Sequence, residues 1–382
     1  MPRHGAIAPY GVVAIECGDQ GERHAHIVAV RSAQVSRLRR FHFFDYICNL
    51  CRTRSAENLM ISTGLTLLHL ALSAANPSGQ IIPTSFEAGR VYVVPQMQDG
   101  TSLKFYTDSG GPTFLLQSTI SRLHLPTQAM PKEYGDDATS AKLPMFKAGL
   151  GVPAPLELDG QISIARRSDT HFDIRDGMLG EAWFGGRIWT WDYPKHQLTL
   201  EAPAWKPAKD ATRTLLGFPV DDKGARADNF ARITVRIDGK PVDLLLDTGA
   251  TTILTPEALT ALGDKLPATR AASFVGDSQF QAWRKAHPEW RVIDNAQVGT
   301  KTPVSIIEVP EVEIAGTRVG PIWFNWRSDR AFHDYMSKMM DKQVEGALGG
   351  NALAHFVMTI DYPGATAYFK CMHDCKTAAP AR

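Results

Sequence analysis

Two short stretches of this 382-residue chain carry side chains whose type and spacing could do acid–base chemistry. One is Asp247-Thr248-Gly249, which follows the apolar run Val242-Asp243-Leu244-Leu245-Leu246. The other is Asp108-Ser109-Gly110, which follows Leu103-Lys104-Phe105-Tyr106-Thr107. Each reads as a strand that delivers one carboxylate to a tight turn. A single such Asp is more often a strand-end turn residue than a functional one. Two held in contact are different: like charges that close cannot both ionise, so the pair shares a proton and places a base beside an acid.

The surroundings of the two triads repeat. Asp99-Gly100 and Asp238-Gly239 stand nine positions ahead of Asp108 and Asp247, each a hairpin-turn signal between two strands. Downstream, Thr113-Phe114-Leu115 matches Thr252-Ile253-Leu254, and Ile120 and Leu123 match Leu259 and Leu262, which predicts a short helix after each triad. A second anchor follows in both halves: Gly177-Met178-Leu179-Gly180 then Asp192-Tyr193-Pro194, and Gly346-Ala347-Leu348-Gly349 then Asp361-Tyr362-Pro363. The order and spacing predict an internal duplication. From triad Asp to second anchor Gly is 72 residues in the first half and 102 in the second, with the surplus expected around 279–302 and 330–343. Phe332, Tyr335, Met336, Met339 and Met340 in the latter have the period of an amphipathic helix, read as core.

With these motifs in place, the chain over residues 88–370 resembles the retropepsin-like aspartic proteases, whose lobes carry Asp-Thr/Ser-Gly after a strand, then a flap hairpin, then an apolar-apolar-Gly segment threaded beneath the Asp loop. The resemblance implies an all-β fold of two pseudo-twofold-related, retropepsin/pepsin-like β-barrel lobes with short helices, and strand content and turn spacing favour all-β independently. It implies Asp108 and Asp247 as a catalytic dyad, Ser109, Gly110, Thr248 and Gly249 as support for the two loops, and Gly180 and Gly349 in the threaded segments. Gly135-Asp136 and Gly276-Asp277 suit hairpin tips, so Tyr134, Gly135, Phe274 and Gly276 become flap candidates, against the plain reading of surface turns. Gly111-Pro112 in the first lobe departs from the family's more usual Ala, Ser or Thr followed by a polar residue. The implied function is an aspartic endopeptidase in which a water is activated between the two Asp residues. No metal or other cofactor is called for, the partner is a polypeptide substrate, and the chain is a monomer with both lobes. A peptide-binding module on the same scaffold, without turnover, is the alternative.

Elsewhere the chain bounds the problem. The 41 basic and 40 acidic residues give a net charge of +1, with no clustered positive excess for nucleic acid or a membrane surface. Residues 1–59 read as a leader or an over-extended start. Residues 60–75 read as a cleaved export signal, too short and interrupted for a stable membrane anchor, with a buried helix as the alternative. The expected location is periplasmic or secreted. Residues 76–201 form the first lobe, 202–216 a Pro-rich linker, 217–370 the second lobe and 371–382 a tail. Cys48 and Cys51 have no second pair at ligand spacing and read as a chance pair. Cys371 and Cys375 either close a small disulfide or are free thiols.

Overall fold

The computed structural model describes residues 79–166, 174–300 and 302–377. The leader, the export signal and the Cys48/Cys51 pair lie outside them. The described chain is mostly β, arranged in sheets of six, eight, ten and two strands, each an open series.

The six-stranded sheet joins the halves. Its order is Gln80–Ile82, Gln197–Leu200, Ile188–Asp192, Phe356–Asp361, Thr366–Cys371, Thr212–Leu215, so three strands come from before residue 201 and three from after. The central pair is antiparallel and crosses at Thr190 opposite Thr359, whose hydroxyls are 2.8 Å apart. The Asp of each Asp-Tyr-Pro closes the hairpin beside it: Asp192 Oδ1 accepts from Lys195 N at 3.0 Å and Asp361 Oδ1 from Gly364 N at 2.8 Å. The segment expected as a linker over 202–216 is partly strand, since Thr212–Leu215 pairs along Thr366–Cys371 as an edge. The described part of the tail, residues 371–377, is also tied down. Cys371 and Cys375 form a disulfide, and Lys376–Thr377 adds to Thr317–Val319.

Each half hangs its own sheet from this base, and both sheets repeat one pairing scheme. The strand ahead of each Asp runs parallel to its threaded segment: Phe105–Thr107 with Gly177–Leu179, and Lys240–Leu246 with Gly346–Leu348. The other edge of each threaded segment takes an antiparallel strand, Phe114–Leu116 or Ser273–Gly276. Both Asp-Gly turns form, with Gly100 at φ 92°, and Asp238 and Gly239 at 50° and 72°.

That register corrects the expected alignment of the halves. Phe114 pairs with Met178 and Phe274 with Ala347, while Thr113 Oγ1 and Ser273 Oγ accept from Gly180 N and Gly349 N at 2.9 and 3.0 Å. Ser273, not Thr252, is therefore the counterpart of Thr113. Most of the second half's surplus is one excursion over 251–271, holding the strands Thr251–Ile253 and Thr269–Ala271 and the helix Pro256–Leu262. Ala272 N bonds Ala250 O at 2.9 Å and closes its base. The expected helices at Ile120 and Leu259 both exist, yet the counterpart of Gln117–Leu123 is Asp277–Ala286, which likewise follows the strand directly. Around the Met-rich stretch the helix is irregular, a π turn over Arg330–Tyr335 and then a 3-10 turn over Met336–Met339.

Candidate active site

The three leucines ahead of Asp247 occupy a strand buried on both faces. Leu244 and Leu246 enter the main core, whereas Leu245 points the other way into a separate apolar cluster. Each leucine withdrawn in this way contributes about 1.5–3 kcal/mol to holding the strand. Past its end, Asp247 N bonds Leu348 O at 3.0 Å, and in the first half Asp108 N bonds Leu179 O at 3.1 Å. Each Asp loop is thus fixed to its threaded segment.

The two Asp loops are in direct contact. Thr248 N donates to Ser109 Oγ at 2.9 Å, and Ser109 N donates to Thr248 Oγ1 at 3.1 Å. Ser109 Oγ also donates to Leu246 O at 2.7 Å. Both side chains are fully buried. Each carboxylate accepts from its own loop, Asp108 Oδ1 from Gly110 N at 2.9 Å and Asp247 Oδ1 from Gly249 N at 3.0 Å.

Glycine is required at two of these positions by close approach. A Cβ on Gly249 would lie 2.3 Å from Asp108 Cγ, and one on Gly110 would lie 2.7 Å from Asp247 Cγ. Each loop therefore packs its glycine against the carboxyl of the other. The first lobe's departure at Gly111 has a similar reason: a Cβ there would lie 2.5 Å from Asp108 Oδ2, a place the second lobe leaves free for Ala250.

Asp108 and Asp247 are half-buried, each carboxyl lying against the glycine of the other loop. Burial is the largest influence on both and raises both above the ordinary carboxylate range. The charge of Asp108 beside it raises Asp247 further, well above that range. Such a pair retains a proton where free carboxylates have lost theirs.

Further residues reach the pair without having been picked out from sequence. Tyr106 Oη donates to Gly249 O at 2.6 Å and lies 2.7 Å from Thr251 Oγ1, joining the first half to the second. Its signal was available: Tyr106 is two residues before Asp108, on the same face of the strand. Tyr193 and Tyr362 are also buried, but their hydroxyls have no hydrogen-bond partner among the described residues; burial, then the charge of Asp247, raises Tyr193, and burial, then Glu181 and more weakly Asp108, raises Tyr362. At one edge of the interface Asn229 N donates to Glu181 Oε2 at 3.3 Å and Asn229 Nδ2 to Glu157 Oε1 at 3.4 Å. Burial, then the charges of Asp228 and Glu157, push Glu181 up to about 8; burial and Glu157 push Asp228 up to about 7.

The flap candidates separate. Tyr134 and Gly135 lie in the tip joining the antiparallel strands Thr127–Ala129 and Thr139–Lys142, with Tyr134 buried. Phe274 and Gly276 lie in no hairpin tip. They belong to Ser273–Gly276, paired on both sides in mid-sheet, and Gly276 is the N-cap of Asp277–Ala286. The second half's hairpin at the place of Thr127–Lys142 is Val292–Ile293 with Ile306–Val309. Gly180 and Gly349 follow the threaded strands, and a Cβ on either would strike backbone, at 2.0 Å from Gly111 O and 1.7 Å from Ala272 O.

Residues 233–351 match the family model described as aspartyl protease. This span contains Asp247, Thr248, Gly249 and Gly349. Among solved structures, the aspartic proteinase of Irpex lacteus aligns at 12% identity with a TM-score of 0.42, covering 78% of this chain and 98% of that one. No curated protein matches. The family match, confined to residues 233–351, is a likeness to an aspartyl protease domain within the second half.

Proposed function

We propose that the chain is an aspartic endopeptidase whose catalytic pair is Asp108 and Asp247, one from each of two duplicated lobes in a single monomeric chain. The observation that carries this is the reciprocal packing of the loops, Gly110 on the Asp247 carboxyl and Gly249 on the Asp108 carboxyl. A water between the carboxyls gives a proton to the ionised member while its oxygen bonds to the peptide carbonyl carbon, and the protonated member donates to the carbonyl oxygen. Collapse of the tetrahedral intermediate breaks the C–N bond, with a proton passing to the departing nitrogen. Serine, threonine and glycine at 109, 110, 248 and 249 keep the carboxyls in contact, so the pair stays proton-sharing.

The first lobe lies outside the matched span, and its share in the site is supported by its equal pairing scheme and loop contacts. Export to the periplasm or medium fits the Cys371–Cys375 disulfide, which persists in oxidising compartments.

The test is digestion of an unfolded polypeptide by wild type and Asp247→Asn from neutral to mildly acidic pH. Wild-type cleavage abolished in the variant is expected. Equal digestion by both would refute the hydrolase reading, and binding of a transition-state mimic without turnover would point to the peptide-binding alternative.

A further inference from the structure

The ladder between Phe356–Asp361 and Thr366–Cys371 ends with Phe356 opposite Cys371, and just past it the two strands leave short ends side by side. His355 stands on one end, and Met372, His373 and Asp374 on the other. Met372 N donates to His355 O at 3.0 Å and holds the ends together. The second end is also pinned on both flanks, because Cys371 and Cys375 close it in a disulfide and Lys376–Thr377 pairs with Thr317–Val319 of the ten-stranded sheet. Inside this small ring Asp374 takes a positive φ of 57°, which aspartate tolerates better than most residues.

Three side chains meet there at metal-ligand spacing. His355, His373 and Asp374 each offer one ligand atom, and these atoms all lie within 4.8 Å of one another. Around an ion held tetrahedrally at about 2.0–2.1 Å, ligand atoms stand roughly 3.4 Å apart. Small rotations of His373 and Asp374, both exposed, close the difference. The histidine ion pairs among the described residues belong to His287 and His333, so neither imidazole here is taken by Asp374. Nearby ammonium groups are engaged elsewhere, Lys370 with Asp210 at 3.0 Å and Lys376 with Glu311 at 2.9 Å. His355 is oriented as well. Its Nδ1 lies 3.4 Å from His373 O, and since a carbonyl oxygen only accepts, Nδ1 carries the hydrogen and Nε2 keeps its lone pair for an ion. Metal-bound histidines commonly donate their other N–H to a backbone carbonyl in this way.

Two imidazoles with one carboxylate suit a borderline transition ion, whereas calcium and magnesium take oxygen ligands. We propose that His355, His373 and Asp374 form a zinc-class divalent metal site at the end of the six-stranded sheet, with water completing the shell. Bound there, the ion cross-links the start of Phe356–Asp361 to the disulfide-closed loop. The site takes no part in the chemistry of Asp108 and Asp247 and stands whether or not the protease reading holds.

The test is a zinc titration of the whole chain against a chromophoric chelator, without reductant, so that Cys371 and Cys375 stay paired and offer no thiolate. Wild type is compared with His355→Gln, His373→Gln and Asp374→Asn; zinc bound elsewhere on the chain is common to all four proteins and cancels. Wild type is expected to bind one equivalent that each variant binds at least roughly 10-fold more weakly, since even an outer partner of a ligand is worth about 10- to 100-fold. His373 and Asp374 are exposed, so their exchange disturbs no core and keeps the test independent of how His355→Gln folds. Calcium in place of zinc should give no such equivalent. Wild-type zinc affinity in any one of the three variants, or a calcium equivalent of the same strength, overturns the proposal.

Discussion

Ser109 and Thr248 each hold the other's backbone N–H through a side-chain oxygen, at 2.9 and 3.1 Å, although they stand 139 residues apart in sequence. Both are fully buried, so neither N–H has water to fall back on. Replacing either by Ala leaves a buried donor without its acceptor, which costs about 1–3 kcal/mol. Ser109→Ala and Thr248→Ala are expected to lose that much in chemical denaturation and to lower kcat more than they raise KM. Wild-type stability in either variant contradicts the role given to the exchange.

Gly249→Ala directs a methyl group to within 2.3 Å of Asp108 Cγ, and Gly110→Ala places one 2.7 Å from Asp247 Cγ. Both should separate the carboxyls, with the larger effect at Gly249. A loss of proteolysis on the order of 100-fold is expected for Gly249→Ala, with far-ultraviolet circular dichroism little changed, because ångström-scale misplacement at a reacting centre costs about that much. Full activity in Gly249→Ala runs against the packing described.

The acidic group at the interface sets a pH dependence of stability. Glu181, raised to about 8 by burial and then by Asp228 and Glu157, holds its proton more tightly folded than unfolded. The folded state therefore binds the extra proton, so its contribution to stability is fully present below about pH 4.5 and is lost as pH rises through about 8. Glu181→Gln should match wild type near pH 4 and exceed it by on the order of 2 kcal/mol above pH 8, read from denaturant melts across that range. Parallel stability curves for the two proteins contradict the burial of that charge.

What could be read from the sequence was whatever local chemistry dictates. Asp238-Gly239 forms a tight turn because both residues tolerate positive φ, and each Asp triad sits where a strand must end. The excursion over 251–271 was not legible for a specific reason. Its Thr252-Ile253-Leu254 run and following helix copy the local pattern of Thr113-Phe114-Leu115, and only pairing with the distant Gly346–Leu348 strand shows that Ser273 holds the equivalent place. Gly276-Asp277 misled in a related way. The same dipeptide serves a turn or starts a helix with an acid in its first turn, and here it starts one. His355 carried no local signal, since it stands 18 residues before His373 and only the pairing of Phe356–Asp361 along Thr366–Cys371 brings the two together.

The most direct test of the central claim is the cleavage rate of one peptide by wild type, Asp108→Asn, Asp247→Asn and the double variant. If the two carboxyls act as one proton-sharing pair, each single substitution should remove about as much activity as both together. A single variant that keeps substantial activity, or losses that simply multiply in the double, would contradict it.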